Sequence, residues 1–213
     1  MGDQLTRVLS LPRRRVQDRA ASLMLALVAA VFGIVLATAA VAAADTTPGD
    51  NIRLPNNDMI EAARDGDVDA IHLAIMHGLS PDDNGIDFVP ALVVATDYGH
   101  ADAVRYLLKQ GAHPNLKARD GRTALAVAAQ AGRADIASAL LDAGADPNQV
   151  AQNRDTPLLI AVRAHRTSVV QALLEHKVDL DDTDVTGRTA LDLSEEHNFD
   201  DITTLLRRAE NGE

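Results

Sequence analysis

The chain has 213 residues, of which 46% are hydrophobic but only 2% aromatic, with no Trp and no Cys. The missing cysteines exclude disulfides, thiolate metal sites and cysteine catalysis, and a core without large rings must be built from many small contacts among Ala, Leu, Ile and Val. The formal net charge of −11 deepens to −14 over residues 45–213, where 15 Lys+Arg stand against 29 Asp+Glu; such a surface repels nucleic acid and anionic membranes.

Residues 1–44 differ in kind from the rest. Arg7, Arg13, Arg14, Arg15 and Arg19 form a basic start, and no charge follows from Ala20 to Ala44. The segment closes on "AVAAAD" (Ala40 to Asp45), which fits a signal-peptidase site of the A-x-A kind. The apolar run is also long enough to span a bilayer. Two expectations follow: a cleaved signal peptide, or a retained N-terminal membrane anchor. Both leave the basic residues inside and the remainder exported, in the periplasm or anchored to the inner membrane and facing it. Residues 45–56, "DTTPGDNIRLPN", are rich in Pro, Gly and polar groups and read as a linker.

From residue 57 onward the chain repeats itself. Shifted by 33 residues, "TALAVAAQAGRADIASALLDAGADPN" (Thr123 to Asn148) falls on "PALVVATDYGHADAVRYLLKQGAHPN" (Pro90 to Asn115) and on "TPLLIAVRAHRTSVVQALLEHKVDLD" (Thr156 to Asp181). The next shifts reach "NDMIEAARDGDVDAIHLAIMHGLSPD" (Asn57 to Asp82) and "TALDLSEEHNFDDITTLLRRAENGE" (Thr189 to Glu213), with no insertion or deletion. A strict period of this length marks a stacked array. Within one unit, Leu125, Ala128 and Ala129 form a one-sided apolar helix that Gly132 ends. Ile136, Leu140 and Leu141 form a second, ended by Gly144. Asp120-Gly121 makes a hairpin-like turn tip. Two short helices cannot bury their own apolar face, so neighbouring units must do so.

These motifs ("DGRTAL", "AAQAGRADI" and "LLDAGADPN") resemble the ankyrin-repeat family. The resemblance implies an all-α solenoid of stacked helix-turn-helix units with hairpin-like tips over residues 57–213, in repeats of about 57–89, 90–122, 123–155, 156–188 and 189–213. Polar groups in the first and last units read as caps. His165 and Lys177 replace glycines at helix ends. A non-glycine residue in a left-handed position costs on the order of 1 kcal/mol; residues 156–188 carry that penalty twice, which makes them the least stable internal repeat.

The chemistry-bearing residues do not converge in sequence. There is no HExxH, no G-x-S-x-G and no phosphate-binding glycine loop after a strand. The histidines read as structural or solvated, and His100 as the donor or acceptor of a structural hydrogen bond. Asp181, Asp182 and Asp184, with Glu195 and Glu196 nearby, lack calcium-loop spacing and read as a solvated turn. No catalytic role, cofactor or metal is assigned.

Instead, the family resemblance implies a concave partner-binding groove along the tips and the exposed side of the inner helices. On this chain the first tip and helix contribute Ile86, Val89 and Tyr98. The second contribute Lys117, Arg119, Arg122 and Gln130. Asn153, Arg154 and Arg163 come from the third tip and the following helix, and Arg188 from the last tip. Six of the 15 basic residues beyond residue 44 lie on this strip. The expectation is a local basic groove with an apolar end at Ile86, Phe88, Val89 and Tyr98, against a plainer reading of ordinary solvated tips. The partner expected is a protein with an acidic segment and an apolar residue; the membrane is engaged only through residues 20–44, and the array is a monomer. The alternatives are a membrane-anchored scaffold or assembly factor, and a metal-dependent protein or enzyme built on Asp182, Asp184 and Glu195.

Overall fold

The computed structural model describes residues 55–85, 87–151 and 154–212. Residues 1–44, read above as an export segment, most of the expected linker, Ile86 and Asn153 lie outside the described residues. The chain folds into ten helices among those residues: α1 (Pro55–Asp65), α2 (Val68–Met76), α3 (Ala91–Tyr98), α4 (Ala101–Lys109), α5 (Ala124–Ala131), α6 (Ala134–Asp142), α7 (Pro157–Arg163), α8 (Thr167–Leu174), α9 (Ala190–Glu196) and α10 (Asp200–Glu210). None is long and apolar enough to cross a membrane. Each odd helix pairs with the even helix after it. The odd helices stack on one another in one row and the even helices in a second row. No strand forms among the described residues. Isolated bridges, Asn84 to Pro90 and Lys117 to Thr123, close the first two tips.

Helices of 7 to 11 residues are marginal alone in water, so packing has to hold them. In α5 every residue from Ala124 to Ala129 is buried, because α3 and α7 cover its flanks and α6 its back. Alanine at four of those six positions lets the neighbouring backbones approach. The even helices are two-faced: Val104 and Leu107 are buried while Asp102 and Arg105 face solvent. Ile71, Leu107, Leu140, Leu173 and Leu206 are fully buried and carry the core from unit to unit.

Local chemistry sets the helix starts. The Thr123 hydroxyl accepts the Ala126 N–H at 3.2 Å, and Asp67 accepts that of Ala70 at 2.9 Å. Thr189 and Asp192 form a reciprocal capping box. Pro157 opens α7, where its missing N–H costs nothing. Asparagines tie successive units together. Asn115 accepts from Asp146 N at 2.8 Å and donates to Gly144 O at 3.2 Å. One period on, Asn148 does the same with Asp179 N (2.8 Å) and Lys177 O (3.2 Å).

Two register positions are left-handed throughout the array. At the end of the odd helices stand Gly66, Gly99, Gly132, His165 (φ 51°) and Asn198 (φ 56°). At the tips stand Phe88 (φ 55°), Gly121, Arg154 (φ 64°) and Gly187. His165 therefore carries the expected strain, but Lys177 does not. Gly78, Gly111 and Gly144 have φ near 90°, whereas Lys177 is absent from the left-handed set. The backbone avoids the strain by rearranging. Helix α8 stops at Leu174, and Val178 N–H bonds to His176 O (2.7 Å). In the preceding unit the corresponding N–H, that of Ala145, reaches back to Leu140 O. The double penalty expected for residues 156–188 is thus corrected to a single one.

Candidate partner-binding face

Each tip is a tight hairpin-like turn. Ala118, Ala151 and Asp184 donate their N–H groups to the carbonyls of Arg122, Asp155 and Arg188 at 2.8 to 2.9 Å. These turns set Arg122, Asp155 and Arg188, the last residues of their tips, beside the row of odd helices; of the other residues expected to contact a partner, Ile86 and Asn153 lie outside the described residues.

Their electrostatics differ from the expected basic groove. The Arg122 guanidinium meets Asp120 at 2.6 Å and Asp97 on α3 at 3.5 Å. Arg163 meets Asp155 at 2.5 Å and Asp184 in the following tip at 3.1 Å. Arg188 meets Asp184 at 3.0 Å and Glu196 at 2.5 Å. Three of the six expected cations are therefore ion-paired, and Arg163 and Arg188 belong to a ladder that alternates in sign from Asp155 to Glu196. Burial pushes the Asp120 carboxyl up, but hydrogen bonds from Arg122 outweigh it and hold the group below its ordinary value. The Thr186 hydroxyl, followed by bonds from Arg188, holds Asp184 well below the usual carboxylate range.

Asp184 also corrects the reading of its loop as a solvated turn. It is buried, as is Asp155, and it is the hub for two arginines. Asp182, Asp184 and Glu195 do not converge: Glu195 is taken by Arg207 at 2.8 Å. Among the described residues no group of three or more His, Asp or Glu side chains is arranged to hold a metal ion.

The ladder had a sequence signal. The last residue of a tip and the helix residue eight positions later carry opposite charges: Asp155 with Arg163, and Arg188 with Glu196. The acids along the strip were visible, but their pairing was not read. Of the remaining cations, Lys117, Arg119 and Arg154 are exposed and form no ion pair among the described residues.

Two depressions open along this row. One, of about 330 Å³, has a floor of Ile60, Val93 and Val94, with Val89, Tyr98 and Arg64 at its edge. The other, of about 360 Å³, has a floor of Ala126, Val127, Ile160 and Ala164, edged by Gln130 and by the Arg163–Asp155 pair. Arg122 borders both. Ala164, on the floor of the second depression, stands at the register position held by Tyr98 two units earlier and by His197 one unit later. Val89, Tyr98, Arg122, Gln130 and Arg163 thus border depressions, while Arg188 lies at the far end of the ladder.

Several histidines have partners within the array. His100 Nε2 bonds to Arg64 O at 2.8 Å, as expected of it. His72 meets the Tyr106 hydroxyl at 2.7 Å. His165 stacks on Phe199 with ring centroids 4.0 Å apart and reaches Asp201 at 3.1 Å.

A family model for ankyrin repeats, in three copies, matches residues 59–151 and 143–213. No curated protein matches the chain.

Proposed function

The chain belongs to the ankyrin-repeat family, whose members are generally non-catalytic protein–protein interaction modules, and on that premise we propose that it binds a protein partner along the tips and odd helices. The two depressions on that row, with exposed Tyr98 beside one and Gln130 beside the other, support this reading most directly. Rigid stacking presents the face in its binding geometry, which lowers the ordering cost of association. The unpaired Lys117, Arg119 and Arg154 favour a partner with an acidic segment that meets the tips, while the ladder beneath is already neutralised. The array acts outside the cytoplasm, either released after cleavage near Ala44 or held at the membrane by residues 20–44; the basic start and uncharged run of the first 44 residues support this.

The test is charge reversal where charge is free. Lys117→Glu combined with Arg119→Glu abolishes partner capture while the circular dichroism spectrum stays unchanged; undiminished capture refutes the role of the tips. N-terminal sequencing of the chain from fractionated cells checks the location. A start near Asp45 in the soluble exported fraction, or an intact Met1 in the membrane fraction, agrees with the proposal, and recovery from the cytosol contradicts it.

A further inference from the structure

The face carries more information than a general capacity to bind. Resting on the proposed function above, we infer that it recognises an extended segment bearing two large apolar side chains, one for each depression, with acidic residues between them.

Four observations lead there. First, the depressions are separate. The Arg122–Asp97 pair (3.5 Å) bridges from the second tip to α3 and forms the ridge between them. A partner that fills both needs two anchors rather than one continuous apolar face. Second, the spacing is fixed by the stack. One depression lies over α1 and α3, the other over α5 and α7. Packed helices sit about 8–10 Å apart, so two steps along the row span roughly 16–20 Å. An extended chain covers that in about 5–6 residues, and a helix in about 11–13.

Third, the groove offers hydrogen-bonding groups to a backbone. The exposed Gln130 side chain has no intramolecular partner among the described residues, and its amide provides a donor and an acceptor beside the second depression. An extended backbone has unpaired N–H and C=O groups to meet it; a helix has spent its own. Lys117 and Arg119 stand on the tip between the depressions, where carboxylates of the intervening residues would meet them.

Fourth, the tip beside the first depression is strained toward display. Phe88 is 59% exposed and left-handed at φ 55°, at a position filled by glycine in two other units. Its N–H bonds to Gly85 O (2.9 Å) and its carbonyl accepts the Arg119 N–H (3.2 Å). An apolar ring held in solvent at a conformational cost is the kind of strain that gathers at binding sites. With Tyr98, 54% exposed, it extends the apolar surface around the first depression.

The test is selection from a random linear-peptide library on the full chain in detergent micelles. Selected peptides are expected to carry two large apolar residues about 5–6 positions apart, with at least one acid between them. They are expected to bind roughly tenfold more weakly to Gln130→Trp, which fills the second depression, and to the Lys117→Glu, Arg119→Glu double variant. Gln130→Ala, which removes the amide without filling the space, checks that the Trp effect is steric. All the altered side chains are exposed, and circular dichroism confirms that the variants fold. Anchors about 11–13 residues apart, no enrichment, or binding indifferent to these variants overturns the inference. Self-association that Gln130→Trp abolishes assigns the face to a second copy and overturns it too. If peptides fail while a crosslinker at Gln130 still captures a protein, the interaction reading stands without this one. If both fail, the face itself is wrong.

Discussion

The left-handed residues give a sharp test of how this sequence pays for its backbone. Arg154 (φ 64°) occupies the tip position that is glycine at Gly121 and Gly187, and its exposed side chain has no partner among the described residues. A non-glycine residue in that region costs about 1–2 kcal/mol. Glycine gives back roughly 0.5–1 kcal/mol through the freedom it adds to the unfolded chain. Arg154→Gly is therefore expected to stabilise the array by about 0.5–1 kcal/mol. His165→Gly removes similar strain (φ 51°) but also deletes the stack on Phe199 and the bond to Asp201. The stack alone is worth about 0.5–1.5 kcal/mol, so that variant is neutral or destabilised. Lys177→Gly relieves nothing, because Lys177 is not left-handed, and it loses roughly 0.5–1 kcal/mol. Urea unfolding followed by circular dichroism separates the three: with a slope of about 2 kcal/mol per molar, the Arg154→Gly midpoint rises by about 0.3–0.5 M. A midpoint that does not rise for Arg154→Gly, or that rises equally for Lys177→Gly, refutes the reasoning.

Asn148→Ala cuts the two hydrogen bonds to Asp179 N and Lys177 O that join adjacent units. It is expected to cost about 1–3 kcal/mol, with faster amide exchange on the C-terminal side of the cut than on the N-terminal side. Leu140→Ala, in the middle of the core and fully buried, is expected to cost about 2–5 kcal/mol in the same urea assay. Acid is the third lever. The Thr167 hydroxyl, and then His165, lower Asp201 from 3.8 to about 2, and Asp184 is lowered further still. Below 3.8 the unfolded chain takes up protons that the folded one refuses, so this stabilisation is complete above about pH 4 and is lost as the pH falls through about 2. Thr167→Val is expected to flatten that fall by lowering stability at pH 7 while leaving it little changed below about pH 2, as read from unfolding midpoints across the window.

Helix positions were legible because the 33-residue period carries its own punctuation: Gly132 and Gly144 at helix ends, Asp120-Gly121 at a tip. Those signals are local, and the backbone obeys them. The fate of Lys177 was not legible, since a missing glycine can be met by strain or by rerouting, and only the path through His176 and Val178 decides which. His165 and Asn198 accept strain at a register position where Lys177, at another, avoids it. The candidate face was legible as a row of positions but not as an electrostatic surface. Arg122, Arg163 and Arg188 read as free cations because their partners lie up to 25 residues away. Pairing between distant stretches of the chain, such as Arg122 with Asp97 and Arg163 with Asp184, appears only once the stack sets those positions side by side. The depression at Gln130 was hidden for a related reason. Small side chains line it, Ala126, Ala151 and Ala164 among them, and absent volume leaves no motif.

The central claim is that this row of tips and odd helices binds a protein. A photo-crosslinking residue at Gln130, compared in living cells with one at exposed Asp142 on α6, tests it most directly. Gln130 suits the purpose because it borders a depression while Arg122 is engaged in ion pairs. A discrete partner captured from Gln130 and not from Asp142 is the predicted result. Equal capture from both positions, or capture from Asp142 alone, would contradict the account.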